Sequence, residues 1–190
     1  MEQAGKSREA ICRELSEILG SDLSYDSGKI FGSMCTKPHD FAVEVYHHYI
    51  EKNLGDAGLF PGTYALEKRL IKDMGNLFGD PTISGSIVSG GSEANMIACR
   101  IAKKLRPDIK KPEIVVSENA HVSFYRAADF MDLTVRKVKL DPETYELDIE
   151  AYKEQITDNT IMLLGIPGTT GLGLVEPIPE IAKLAEPRDI

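Results

Sequence analysis

Three short stretches of the chain combine residue types that can hold an anion or a polar heterocycle. In "IVSGGSEANM", Ile87 to Met96, an apolar run passes through Gly90, Gly91 and Ser92 into a helical pattern that begins near Glu93. Glycines let backbone approach a ligand closely, and the first turn of a helix offers unpaired N–H groups at the positive end of its dipole. Ser92 adds a hydroxyl donor. The plainer account is a strand-to-helix turn with Ser92 as its N-cap. Neither GxxxxGK[ST] nor GxGxxG occurs in this stretch, which disfavours a nucleoside triphosphate or dinucleotide and leaves a phosphate monoester.

The second stretch is "SENAHVSF", Ser117 to Phe124, where His121 follows an apolar run and opens a helical pattern. A single histidine in that position is more often a helix cap or a surface residue. The third is "GIPGTTGLGLVEPI", Gly165 to Ile178, in which Thr169 and Thr170 follow another apolar run. On their own, both threonines read as turn residues. Three strand ends that each deliver a polar group are better explained by one shared pocket, because ligand sites in open α/β sheets lie at the carboxyl ends of strands. Such a pocket suits a flat, phosphorylated, aromatic cofactor.

Those strand ends require a particular set of elements. The runs at 86–89, 113–117, 133–140 and 160–166 have strand length and β-branched content. Helical spacing appears between them at 94–105, 121–131 and 148–156, and again at 177–186. Alternation of this kind predicts an α/β fold with a parallel sheet covered by helices. Before residue 81 the periodicity is helical, over 8–19, 39–53 and 63–78, and the glycine-rich "NLGDAGLFPGT" at 53–63 carries Leu59 and Phe60 in a loop placed for contact. Residues 1–80 are thus expected to form an N-terminal helical segment, and 81–190 the first part of an α/β domain. The last residues read as the approach to a further strand, so the expected α/β domain is incomplete.

Composition narrows the function classes. With 42% hydrophobic and 27% charged residues the chain has the content of a globular protein. A net charge of −8 argues against a nucleic-acid surface, which relies on clustered cations. The one basic run, Lys103 to Lys111, reads as a solvated helix end. Cys12, Cys35 and Cys99 have neither disulfide-framework nor metal-ligand spacing, so no metal site is expected and a cytoplasmic location fits. No apolar stretch approaches membrane-span length, so no membrane partner is expected either.

In this order and spacing, "SGGSEAN", "AHVSF" and "GTTGLG" resemble the pyridoxal-phosphate (PLP) dependent group II decarboxylase family. "GSMCTKPH" (Gly32 to His39) and "NLGDAGLFPGT" are most similar to its archaeal branch acting on L-tyrosine and L-aspartate. The resemblance implies the large domain of the aspartate-aminotransferase-like (type I PLP) fold, here truncated and preceded by N-terminal helices. It implies PLP as cofactor, with Gly91 and Ser92 holding its phosphate, His121 stacked on its ring, and Thr170 beside the ring substituents, with Thr169 the alternative. It also implies an amino-acid substrate, a homodimer in the full-length form, and a place in supplying tyramine for methanofuran or β-alanine for coenzyme A. Gly171 departs from the family, which commonly has an acidic residue there. The aspartate that pairs with the ring nitrogen and the lysine that forms the Schiff base have no counterpart, since Lys37, Lys72 and Lys137 lie in unrelated contexts. The expectation is that this chain alone is inactive, and that it is unstable or ordered only by partner contacts. Two other readings stand beside it: another lyase or desulfurase of the same fold, and a non-catalytic fragment that associates with an intact subunit.

Overall fold

The computed structural model describes residues 5–30, 36–188 and 190. Residues 32–35 of the "GSMCTKPH" stretch lie outside that range. The chain divides into two compact units, Met1–Ala65 and Leu66–Ile190.

The first unit contains α1 (Arg8–Leu19), α2 (Asp40–His48) and the start of α3 (Pro61–Leu77). Ser7 caps α1, its Oγ accepting the Ala10 N–H at 3.2 Å. His39 caps α2 through Nδ1, which accepts the Phe41 N–H at 3.2 Å. The spacing predicts a helix as far as residue 53, but α2 stops at His48. Its last stretch, Tyr46 to Ile50, is aromatic, histidine and β-branched, residue types of middling helix propensity. No residue of α1 or α2 is buried, although Leu15 and Ile18, and Phe41 and Val45, recur at helical spacing.

The second unit is a three-layer α/β arrangement. After α4 (Gly91–Leu105) come β1 (Glu113–Ser117), α5 (Val122–Met131), β2 (Thr134–Val138), α6 (Ile149–Glu154), β3 (Thr160–Leu163) and α7 (Ile178–Ala185). The sheet order is β2-β1-β3, with both pairings parallel. β1 is central and buried along its whole length, as a parallel strand covered on both faces must be.

Alternation along β1 divides the core. Ile114 and Val116 face Cys99 of α4 and Phe124, Ala127 and Ala128 of α5. Val115 faces Tyr152 of α6 and Ile181 of α7 on the other side. The Tyr152 hydroxyl closes the second layer, accepting the Leu164 N–H at 2.8 Å and lying 2.9 Å from the carbonyls of Val115 and Leu164. Burial pushes its phenol well above the ordinary range. Gly165 permits the approach of α7 to the end of β3: a Cβ there would lie 2.6 Å from Ile178 Cδ1.

One expected strand is not formed. Residues 86–89 have strand composition but join no ladder among the described residues. Side chains meet their backbone instead, with Glu67 accepting the Ile87 N–H at 2.8 Å and Glu93 accepting the Ser89 N–H at 2.8 Å. The physical reason is the lack of a neighbouring strand to exchange hydrogen bonds with. β2 and β3 are also shorter than the apolar runs that predict them, 134–138 and 160–163.

Candidate functional site

The carboxyl ends of β1 and β3 open onto a cavity of ≈ 230 Å³ lined by Asn95, Asn119, His121, Phe124, Leu164, Gly165, Ile166, Pro167 and Thr170. β1 ends at Ser117, and a short turn closed by the Ala120 N–H to Ser117 carbonyl bond delivers Asn119 and His121. His121 is the N-cap of α5, with Nδ1 accepting the Ser123 N–H at 3.2 Å. Cap and pocket residue are therefore the same residue: Nδ1 serves the helix while the ring lines the cavity.

The segment after β3 separates its two threonines. Thr169 is buried and structural: its N–H donates to the Leu174 carbonyl at 2.9 Å, and its Oγ1 accepts the Leu174 N–H at 3.1 Å. Thr170 is exposed and lines the cavity. The segment is anchored by Glu176, a buried carboxylate. Its Oε2 accepts the Ile166 N–H at 2.9 Å, and its Oε1 accepts the Ser117 hydroxyl at the end of β1. One side chain thus ties the ends of β1 and β3 beneath the cavity.

Gly91 and Ser92 lie at the start of α4 and do not line this cavity; Asn95, one turn further along the same helix, does. The N-cap is Gly90, which has no side chain to cap with, so Ser92 is inside the first turn and the N–H groups of residues 91–93 have no acceptor within the helix. A Cβ at Gly90 or Gly91 would have no heavy atom within 4 Å, so the approach is open. The acidic residue of this turn, Glu93, is turned back toward Ser89, accepting its hydroxyl at 2.6 Å and its N–H at 2.8 Å. Those bonds hold its carboxyl below the usual range, the hydroxyl contributing most. The open helix start, with N–H groups that lack acceptors within the helix, suits an anion such as a phosphate monoester, and His121 and Thr170 both line the cavity.

Sequence reasoning singles out Gly91, Ser92, His121 and Thr170. It misses Asn95, Asn119, Ser123 and Glu176. Asn95 and Asn119 could have been found, since one follows Ser92 by three residues on a helix and the other precedes His121 by two. No local pattern signals Ser123 or Glu176, whose partners are distant in sequence. No lysine lines the cavity among the described residues. No group of three or more histidine, cysteine, aspartate or glutamate side chains is arranged to hold a metal among them, and none of their helices is long and apolar enough to cross a membrane.

Comparison with known proteins identifies the family. Residues 2–190 match the pyridoxal-dependent decarboxylase conserved domain. The L-aspartate decarboxylase of Thermococcus kodakarensis is 45% identical over 183 residues, covering 96% of this chain and 47% of that protein. The probable L-tyrosine/L-aspartate decarboxylase of Methanothermobacter thermautotrophicus is 42% identical over 168 residues, covering 88% and 46%. Among solved structures, mouse CSAD in apo form superposes with a TM-score of 0.84 at 22% identity, over 100% of this chain and 44% of that one. Oryza sativa TDC with PLP and tryptamine gives 0.79 at 15% identity, over 98% and 46%. At such identities the superpositions establish the fold, that of PLP enzymes. The chain spans about half the length of the curated relatives it matches. With a family match along nearly its whole length, the chain belongs to the pyridoxal-dependent decarboxylases.

Proposed function

We propose that the chain supplies the phosphate-binding and ring-contacting part of the PLP site in an L-amino-acid decarboxylase acting on L-aspartate, L-tyrosine or both. The observation that carries this reading is the convergence of His121 and Thr170, from two different strand ends, on one cavity beside the open start of α4. When bound, the cofactor's pyridine ring takes up the electrons released as carbon dioxide leaves the amino acid. The chain's own residues bind and orient. Gly91 and Ser92 offer N–H and hydroxyl donors to the phosphate, His121 gives a flat face to the ring, and Thr170 presents a hydroxyl at the ring's edge. Asn95 and Asn119 add amide groups at the cavity wall.

Because no lysine lines the cavity, the covalent anchor of the cofactor does not come from the described wall, and turnover by this chain alone is expected to be negligible. The same reading carries a homodimer, a cytoplasmic location, no nucleic-acid partner, and a role in providing tyramine or β-alanine to methanofuran or coenzyme A synthesis. The close archaeal relatives with decarboxylase names support the substrate class.

The test is an equilibrium titration of the purified chain with PLP, followed by absorbance and competed with inorganic phosphate. Gly91→Asp puts a carboxylate into open space at the helix start and should weaken PLP binding at least about tenfold by like-charge repulsion. Binding that phosphate does not compete for and that Gly91→Asp leaves unchanged would overturn the reading. Borohydride treatment at stoichiometric PLP, followed by mass analysis, should find only scattered substoichiometric labelling of exposed lysines, and one lysine modified stoichiometrically and protected by phosphate would refute the claim about the anchor.

A further inference from the structure

A buried hydroxyl stands between the two helices that frame the cavity. Ser123, in the first turn of α5, is 2% exposed, and its Oγ accepts the Asn95 side-chain N–H from α4 at 2.8 Å. The same Oγ lies 2.8 Å from His121 Nδ1. A hydroxyl carries one proton, and when its oxygen accepts from an amide that proton remains to be donated. Nδ1 is the acceptor in reach. It already accepts the Ser123 backbone N–H at 3.2 Å, a group that can only donate. A proton on Nδ1 would face two donors at once. The imidazole proton therefore sits on Nε2, at the opposite edge of the ring.

We propose that Ser123, braced by Asn95, is a positioning residue that fixes His121 as its Nε2–H tautomer and sets the plane of its ring in the cavity. That this ring meets PLP rests on the function proposed above; the tautomer assignment does not. The chain of bonds runs from α4, one turn past Gly91 and Ser92, to the cap of α5. It holds the phosphate end and the ring end of the site to a common geometry through a side chain that water cannot reach. Ser123 itself lies outside the cavity lining, so it acts through His121 and not on a ligand.

The experiment is nitrogen NMR on the full chain labelled with ¹⁵N in its histidine rings, without cofactor, at a pH well above the ordinary imidazole value of about 6.5. The signals of His121 are assigned by their loss in His121→Gln. The two tautomers differ widely in their Nδ1 and Nε2 shifts. In the wild type, Nε2–H should predominate by about tenfold or more, the worth of one buried hydrogen bond. Ser123→Ala, which keeps the backbone N–H but loses the hydroxyl, should lower the ratio of Nε2–H to Nδ1–H about fivefold relative to the wild type, the worth of the lost bond. Ser123→Thr should restore the wild-type pattern, and a merely structural serine would show no such rescue of a tautomer ratio.

An Nδ1–H form or an even mixture in the wild type overturns the proposal without any variant, so a Ser123→Ala chain that fails to fold does not protect it. A wild-type ratio that persists in folded Ser123→Ala overturns it as well. A PLP titration on the same samples separates the two ideas. An Nε2–H tautomer in a chain that binds no PLP sinks the cofactor reading and leaves the positioning role standing, whereas phosphate-competed PLP binding with an unfixed tautomer does the reverse.

Discussion

At the residue scale, the site depends on polar groups that are satisfied by partners far away in sequence. His121 and Thr170 are legible because each follows an apolar run that reads as a strand, and strand ends are where an α/β sheet places ligands. Ser123 and Glu176 are not legible, because Asn95 lies 28 residues from Ser123 and Ser117 lies 59 from Glu176, and hydrogen bonds at such separations leave no periodic trace. Glu176 gives a direct test. Glu176→Ala leaves the buried Ser117 hydroxyl and the Ile166 N–H without their acceptor, which should cost about 1–3 kcal/mol in urea denaturation and loosen the segment bearing Thr170. Glu176→Gln should cost less. Its carbonyl oxygen can still accept the Ile166 N–H, while the Ser117 hydroxyl can reverse and accept from the new amide. Equal losses in the two variants would show that charge, and not hydrogen bonding, is what matters there.

Among elements, the three strands and their covering helices are legible from composition and spacing, and their boundaries are less so. The apolar run at 133–140 yields a strand only over Thr134–Val138, because β2 is an edge strand and its ladder extends only as far as β1 does. The run at 86–89 shows that strand composition is not sufficient: without a neighbour its N–H groups turn to Glu67 and Glu93.

A second charged cluster fastens the opposite ends of the strands. Glu113, at the start of β1 and 6% exposed, accepts a two-point contact from Arg136 of β2 at 2.6 and 3.0 Å, and the Thr157 hydroxyl at 2.7 Å. The Arg136 hydrogen bond, with help from Thr157, holds the Glu113 carboxyl below its ordinary value. In the unfolded chain that value is about 4.3. The contribution to stability is therefore complete above this pH and is lost as pH falls through the lower folded value. Arg136→Met should destabilise at neutral pH, by less than the loss of a fully buried partner because the arginine is partly solvated. It should also flatten the acid limb of the stability curve, as read by chemical denaturation between about pH 3 and pH 7. A variant with an unchanged acid limb would mean that other carboxylates set it.

For the whole molecule, large apolar side chains are left open in both units. In the first unit, Leu15, Ile18, Phe41 and Leu59 are exposed at 50%, 62%, 66% and 73%. In the second, a groove of ≈ 520 Å³ runs between α4, β3 and α7, lined by Ile101, Leu105, Ile161, Leu163, Ile178 and Ile181. Surfaces of this kind mark association. Sedimentation velocity across a concentration series should show reversible self-association that salt does not weaken, because its drive is apolar. A strictly monomeric chain would show that these faces tolerate water. The helical spacing makes the apolar faces of α1 and α2 legible in the sequence. What covers them is not legible, because periodicity records a face and not its partner.

The order of the sheet bears on how the chain is made. β1 is central, and it is also the first of the three strands in sequence; β2 adds to one of its edges and β3 to the other. No strand has to be inserted between two already paired. Chains are synthesised at roughly 5–20 residues per second, slowly compared with the docking of a strand and its helix. As the ribosome extrudes this chain, each β–α segment can therefore join an existing edge when it emerges. The three-stranded sheet can be assembled in the direction of translation, with the walls of the cavity appearing in the order His121, then Thr170.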